Sequence, residues 1–431
     1  FVITPLLNGL VTTLIPTLRF VKRPSVWFDA IHATRARTTF APNFALALIT
    51  RRATPAQLER WDLSCLKSVG CGAEPIQPQT MREFTALFSE HCGLAKSAVT
   101  PAYGMAEATL AMTLKPALEE PRTLICDAEA FIEEGRVEEL ALEEESPQTS
   151  TQGELSAEGE GRDVLEWVSC GVPLEGHEIA IFGEDGAALP EGREGELCFR
   201  GPSVTAGYYN RPDATAEAYR DGWLHTGDLG FMARGEVYIT GRLKDLIIIN
   251  GRNVHPQTIE WTVAEVERVR KGNVVAFSAP SESGERLVVA LETRVTETGA
   301  EREALYEAIR VAAREAIERD HALTVSEVVC LAAGSLPKTS SGKLQRRKTR
   351  ALYWSGDLTQ RASRLASRGR RHPKHRKRSL GDSKRRTDDR DSFLSRDWSS
   401  PGDSKEYSKD IPQCAGQRGA SSVRDATRDA R

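Results

Sequence analysis

Gly241-Arg-Leu-Lys-Asp-Leu-Ile-Ile-Ile-Asn-Gly-Arg-Asn253 is the stretch on which the organisation of this 431-residue chain turns. Four consecutive apolar residues, Leu246 to Ile249, lie between a charged run and an Asn-Gly pair, which reads as a short buried strand entered and left by turns. Downstream of Gly241 the pattern predicts a second unit: a helix near Thr258 to Val269, strands at Asn273 to Ser278 and Leu287 to Glu292, and a helix near Glu301 to Arg319. In that last helix Ala304, Leu305, Ala308, Ile309, Ala312, Ala316 and Ile317 recur at three- and four-residue steps, so they are expected to face the core. Upstream, Glu178 to Phe182, Gly195 to Arg200 and Glu236 to Thr240 are strand-like runs separated by glycines, as in a small barrel or distorted sheet. From Phe1 to about Thr113 helix-like stretches alternate with short apolar runs such as Cys65 to Cys71, the pattern of an α/β layered domain.

Between these lies Glu133 to Asp163, rich in Glu with Ser, Thr, Gln and Gly, which is expected to form a polar surface insertion. With 40% hydrophobic and 28% charged residues the chain can bury a core, which excludes a wholly disordered or fibrous protein. The net charge of −3 conceals a split: Arg361 to Arg431 carries 20 basic and 10 acidic residues, leaving 38 and 51 in the first 360. No nucleic-acid partner is expected for the acidic body. The eight cysteines, Cys65, Cys71, Cys92, Cys126, Cys170, Cys198, Cys330 and Cys414, show no paired or zinc-like spacing, so reduced thiols and a cytoplasmic setting are expected. The opening stretch Phe1 to Val21 is apolar, but Pro5, Asn8, Gly9 and Pro16 interrupt it, so no integral membrane span is expected. The chain starts with Phe and has no basic leader region, and it reads as a fragment.

The chemistry begins with Pro337-Lys-Thr-Ser-Ser-Gly-Lys343-Leu-Gln-Arg-Arg347, a small-residue loop that presents a lysine. A phosphate-cradling P-loop is rejected, because the required first glycine is Pro337 and the residue after Lys343 is Leu344. Taken alone, the loop would be read as an exposed turn. It occurs, however, with Tyr103-Gly-Met-Ala-Glu107, Thr226-Gly-Asp228-Leu-Gly230, Gly241-Arg242-Leu-Lys244-Asp245 and Asn250-Gly-Arg-Asn-Val-His-Pro256, and with Gly72-Ala-Glu-Pro75 and Gly201-Pro-Ser-Val-Thr-Ala-Gly-Tyr208. In this order the set resembles the adenylate-forming, or AMP-binding, superfamily, whose members activate carboxylic acids with ATP to acyl-AMP and pyrophosphate. Ala41-Pro-Asn-Phe44, Val168-Ser-Cys-Gly171 and the Ala106 that follows Tyr103-Gly-Met make it most similar to the fatty acyl-AMP ligases. The resemblance covers about Thr4 to Leu352.

That resemblance implies an α/β adenylate-forming fold: residues 1–241 as the C-terminal part of the large domain with its β-barrel portion and 242–356 as a small mobile α+β lid; beyond these, the basic composition of 357–431, poor in aliphatic residues, reads as a disordered tail. It implies that Asp228 accepts hydrogen bonds from the ribose hydroxyls and that Arg242 reaches the ribose or phosphate. Tyr103 would stack on adenine, with Gly72, Ala73 and Glu74 as a close-approach wall and Gly104 and Met105 completing the nucleotide segment. Glu107 would help hold Mg²⁺, Lys343 would be the adenylation lysine, and Lys244 would lie at the hinge of lid rotation. The implied cofactors are ATP, Mg²⁺ and the phosphopantetheine of an acceptor protein. The implied partners are a fatty acid and an acyl carrier protein or polyketide synthase. His225 and His255 are left as structural, because a carboxylate needs no base to become a nucleophile at neutral pH.

Two departures from the family pattern are visible. Its Ser/Thr/Gly-rich loop for the β- and γ-phosphates should lie upstream of Thr4, so these 431 residues by themselves are expected not to turn over. The tail, with Arg370-Arg-His-Pro-Lys-His-Arg-Lys-Arg378, reads as shifted-frame or unrelated sequence, or as a polyanion-binding arm. A fatty acyl-CoA ligase and a non-catalytic remnant or scaffold stay open as alternatives.

Overall fold

The computed structural model describes residues 3–140, 164–249, 252–281, 284–339 and 342–358. Most of the polar stretch, from 141 to 163, and the basic tail from 359 onward therefore lie outside the described residues. The part of the polar stretch that is described is folded: helix Ala128–Glu134 is capped by the Asp127 carboxylate on the Ala130 N–H, and Leu140 N donates to Ile125 O. Glu133 and Glu134 close that helix at the surface, and Glu138 and Glu139 are exposed beyond it. Val137 supplies apolar packing that the Glu-rich composition hides.

Among the described residues, three larger sheets carry the chain, beside the two-stranded pairs Thr123–Asp127 with Val164–Val168 and Ile247–Ile249 with Arg252–Val254. In the first, Thr38–Ala41, Ser68–Cys71 and Val99–Met105 run parallel, then Leu110–Leu114 and Val172–Pro173 continue antiparallel. Helices Ser25–Thr34, Asn43–Arg52 and Pro78–Cys92 bury their apolar faces in one cluster, where Phe28, Phe84 and Phe88 are fully enclosed and their rings meet edge-on or tilted. Each such ring contributes about 1.5–3 kcal/mol by leaving water. Gly93 ends the third of these helices in the left-handed conformation, at φ 70°, as a glycine does best.

The second sheet runs in the order Tyr219–Arg220, Trp223–Ala233, Gly195–Arg200, Glu178–Phe182, with Glu236–Arg242 also paired to the long Trp223–Ala233 strand. The third has Gly284–Thr293 at its centre, antiparallel to Val269–Ser281 and parallel to Val325–Leu331, with helix Ala300–His321 as the crossover between the parallel pair. This is the α/β class with a smaller α+β unit that the sequence predicts.

Two helical expectations are corrected. The helix expected to reach Val269 spans Pro256–Ala264: Arg268 takes a left-handed φ of 65°, and Val269 opens a strand instead. In Ala300–His321 the buried residues are Tyr306, Ile309, Ala313, Ala316 and Ile317, while Ala304 and Ala308 are exposed. The stripe is rotated because Tyr306, which an aliphatic count passes over, turns its ring inward. Leu358 is 1% exposed and packs with Val275 and Phe277, so the folded body extends past Gly356. No helix of the described residues is long and apolar enough to cross a membrane.

Candidate functional site

The Thr226-Gly-Asp228 segment lies where the pairing of Trp223–Ala233 with Gly195–Arg200 slips, between His225 and Leu229. A bulge of this kind re-aims side chains, and Gly227 supplies the left-handed residue at φ 68°. Thr226 Oγ1 donates to Leu197 O at 2.7 Å and accepts from Asp228 N at 3.0 Å, so the turn is held from both sides. Asp228 is 4% exposed. One carboxylate oxygen accepts from the Tyr103 hydroxyl at 2.6 Å and the other faces Arg242 Nε at 2.7 Å. Burial pushes the Asp228 carboxyl upward, against the pull of Arg242 and the Tyr103 bond. Three residues from three separate motifs thus form one cluster. Tyr103 enters it through its hydroxyl, a link that a reading of its ring as a stacking face leaves out.

A second cluster joins two further motifs. Phe44 N donates to Glu74 Oε1 at 2.6 Å, and Gln77 N donates to Asn43 Oδ1 at 3.2 Å, so Ala41–Phe44 is sewn to Gly72–Pro75. A Cβ on Gly72 would lie 2.5 Å from Ala102 O, and Ala73 is held at φ 68°, a conformation costing an alanine roughly 1–2 kcal/mol. Such outliers concentrate at binding sites. Burial pushes the Glu74 carboxyl above its ordinary range, while the Lys343 and Lys338 ammonium groups pull it back.

Past Tyr103, a Cβ on Gly104 would lie 1.7 Å from Leu110 O. Met105 packs with Met112 and Leu197. Glu107 is half-buried: its carboxylate accepts from the Tyr208 hydroxyl at 2.6 Å, and its backbone oxygen accepts from Thr205 N at 2.8 Å. The Gly201–Tyr208 motif thereby braces Glu107, and the hydrogen bond to that carboxylate pushes the Tyr208 hydroxyl up to about 12. A braced carboxylate oxygen is the hard donor that Mg²⁺ prefers, so the residue fits that ion.

The lysine loop is a small hairpin: Thr339 N donates to Lys343 O at 2.8 Å, Gly342 N to Thr339 O at 3.0 Å and Gln345 N to Pro337 O at 3.0 Å. Lys343 is exposed, and its backbone N–H donates to Thr339 Oγ1 at 3.1 Å. Sequence reasoning missed the anchor beneath this hairpin. Arg346 Nη1 lies 2.7 Å from Asp245 Oδ2 and Nη2 lies 2.7 Å from Glu260 Oε1, while Nε donates to Ala276 O at 3.1 Å. A second missed residue is Lys338, whose ammonium donates to Asn273 Oδ1 at 2.7 Å. A cleft of about 590 Å³ opens over this anchor, lined among others by Thr226, Arg242, Lys244, Gln345 and Arg346. Lys244 stands at its rim, 3.5 Å from Glu217 and largely exposed. His255 is buried with Nε2 3.2 Å from Glu194, and His225 lies 2.8 Å from Glu196, so both are engaged within the fold.

Comparison with known proteins gives a consistent result. Residues 1–209 match the model of a family described as AMP-binding enzyme. A Caulobacter vibrioides protein provisionally named an acyl-CoA synthetase is 36% identical over 83% of this chain and 58% of its own length. The medium-chain-fatty-acid–[acyl-carrier-protein] ligase JamA of Moorena producens is 36% identical over 83% of this chain and 59% of its own. A solved structure from work on fatty acyl-adenylate ligases of E. coli and L. pneumophila superposes with a TM-score of 0.71 at 29% identity, covering 83% of this chain and 60% of that one. The chain thus spans under two thirds of the length of each of these three relatives.

Proposed function

This chain belongs to the AMP-binding enzyme family, and from that premise we propose that it is part of a fatty acyl-AMP ligase that passes its acyl group to the phosphopantetheine thiol of an acyl carrier protein. In the first half-reaction a fatty-acid carboxylate attacks the α-phosphorus of ATP and pyrophosphate leaves. In the second the thiol attacks the acyl carbonyl and AMP leaves. The observation that carries the reading is the convergence of Asp228, Arg242 and Tyr103 on one point, with both Asp228 oxygens engaged.

Asp228 holds the ribose hydroxyls as Arg242, two-thirds exposed and free to swing, shifts from the carboxylate towards ribose or phosphate. The ring of Tyr103 packs against adenine, and the Gly72, Ala73 and Glu74 backbone borders the base, with Gly104 and Met105 alongside. Lys343 bridges the attacking carboxylate and the α-phosphate, where one preorganised donor is worth about 10²–10³ in rate. Glu107 would hold Mg²⁺, which neutralises the charge of the triphosphate. Lys244, at the start of the lid at 242–356 and close to its junction with the large domain at 1–241, marks the hinge about which the lysine hairpin withdraws before thiol transfer.

The carrier-protein acceptor is supported by the name of the Moorena relative, and coenzyme A as acceptor by that of the Caulobacter relative. Lipid or polyketide assembly is the natural client of the first. The free thiols at all seven described cysteines fit a reducing, cytoplasmic setting. The acceptor is tested by supplying purified acyl-AMP with either coenzyme A or phosphopantetheinylated carrier protein to the protein that includes the upstream half of the large domain. Acyl transfer to the carrier alone supports the proposal, and transfer to coenzyme A alone contradicts it.

A further inference from the structure

Glu196 and Cys198 are two apart on strand Gly195–Arg200, so their side chains leave the same face, and His225 is the register partner of Cys198 on the neighbouring strand. Their donor atoms converge: His225 Nδ1 lies 2.8 Å from Glu196 Oε2 and 3.3 Å from Cys198 Sγ, and one ligand atom from each of the three falls within 4.8 Å of the others. A single ring nitrogen faces both partners here. If it carries a proton, that one proton is shared between an oxygen and a sulfur. If it does not, its lone pair points at a carboxylate. A cation at the common point would satisfy all three donors at once.

We propose that Glu196, Cys198 and His225 form a site for a borderline divalent cation of the Zn²⁺ type. Zn²⁺ bonds of about 2.0–2.3 Å in a tetrahedral shell place neighbouring donors roughly 3.4–3.6 Å apart, so the two spacings from His225, 2.8 and 3.3 Å, need less than an ångström of adjustment. A sulfur, a nitrogen and an oxygen select Zn²⁺ over Mg²⁺, which separates this site from the oxygen donor at Glu107. Cys198 is fully buried, whereas His225 and Glu196 keep 14% and 18% of their side chains exposed, so entry is from their side with water as the fourth ligand. The competing charge is Arg220, whose guanidinium stands 3.7 Å from Glu196 Oε2 and can turn towards solvent, being 53% exposed. The site is wired to the nucleotide segment: Glu196 Oε1 accepts from Gly227 N at 3.1 Å, one residue before Asp228. Occupancy would therefore restrain the turn that carries Asp228.

The test is titration of the full chain with Zn²⁺ against a chromophoric chelator, and with Co²⁺ as a spectroscopic substitute. The expected result is one equivalent bound, a thiolate-to-cobalt charge-transfer band, and at least tenfold weaker binding in both Cys198→Ser and His225→Gln, with Cys65→Ser as the unaffected control. Binding that is unchanged in the two variants would place the cation elsewhere, for instance on the His372 to His375 run, and overturn the proposal. Absence of the charge-transfer band in the unmodified chain would overturn it without recourse to any variant.

Discussion

Asp228 and Arg242 face each other as register partners across adjacent antiparallel strands, with Arg242 Nε 2.7 Å from Asp228 Oδ1. The sheet itself therefore sets the separation of the two residues assigned to the ribose. Asp228→Asn keeps the shape but loses the charge-assisted bonds, each worth about 1.5–3 kcal/mol. The expected outcome is roughly ten- to hundredfold weaker binding of AMP by calorimetry, with the protein still folded.

Lys343 is exposed, so its removal should not touch stability. Lys343→Ala is expected to leave the melting temperature within a degree or so of the parent while slowing acyl-AMP formation by about 10²–10³ in the protein completed with its upstream half. Pyrophosphate exchange measures this.

Gly104→Ala should fail structurally. Its methyl would meet Leu110 O at 1.7 Å, and that oxygen belongs to a backbone that cannot rotate aside. Overpacking of this kind typically costs about 1–3 kcal/mol, seen as a lower urea midpoint.

Arg346 ties the lysine hairpin to Asp245 and Glu260, each about one-fifth exposed or less. Arg346→Gln leaves the buried Glu260 carboxylate without its partner, and should cost about 3 kcal/mol. Arg346→Lys retains the charge but loses the fork and should fall between. Amide hydrogen exchange at Lys343 and Gln345 is expected to accelerate in both variants.

Glu74 gives a pH dependence of defined sign. Burial raises its folded-state pKa above the ordinary 4.5, so its contribution to stability is fully present below that pH and is lost as pH rises through the folded value. Glu74→Gln cannot ionise and its amide oxygen can still accept from Phe44 N. Its melting temperature should therefore gain on the parent progressively as pH rises above 4.5, and a constant difference would refute the assignment.

Strands Glu178–Phe182 and Gly195–Arg200 could be read to the residue because apolar alternation and flanking charges and glycines are local signals. The end of Pro256–Ala264 could not, since nothing in the local sequence marks Arg268 as left-handed. The motif residues of the site were legible as a resemblance, but the contacts between them were not. Arg346 meets Asp245 and Glu260 across 101 and 86 residues, and Tyr103 meets Asp228 across 125. Pairings at such separation belong to topology, and a sequence read residue by residue has no period that encodes them.

The most direct test of the central claim uses a non-hydrolysable fatty acyl-adenylate, such as an acyl-sulfamoyl adenosine, because its binding requires no grip on the β- and γ-phosphates. Titrated calorimetrically into this chain, it should bind one to one and more tightly than AMP, and the affinity should collapse in Asp228→Ala. Equal heats for the parent and Asp228→Ala, or no binding by either, would contradict an acyl-adenylate site built on Asp228, Arg242 and Tyr103.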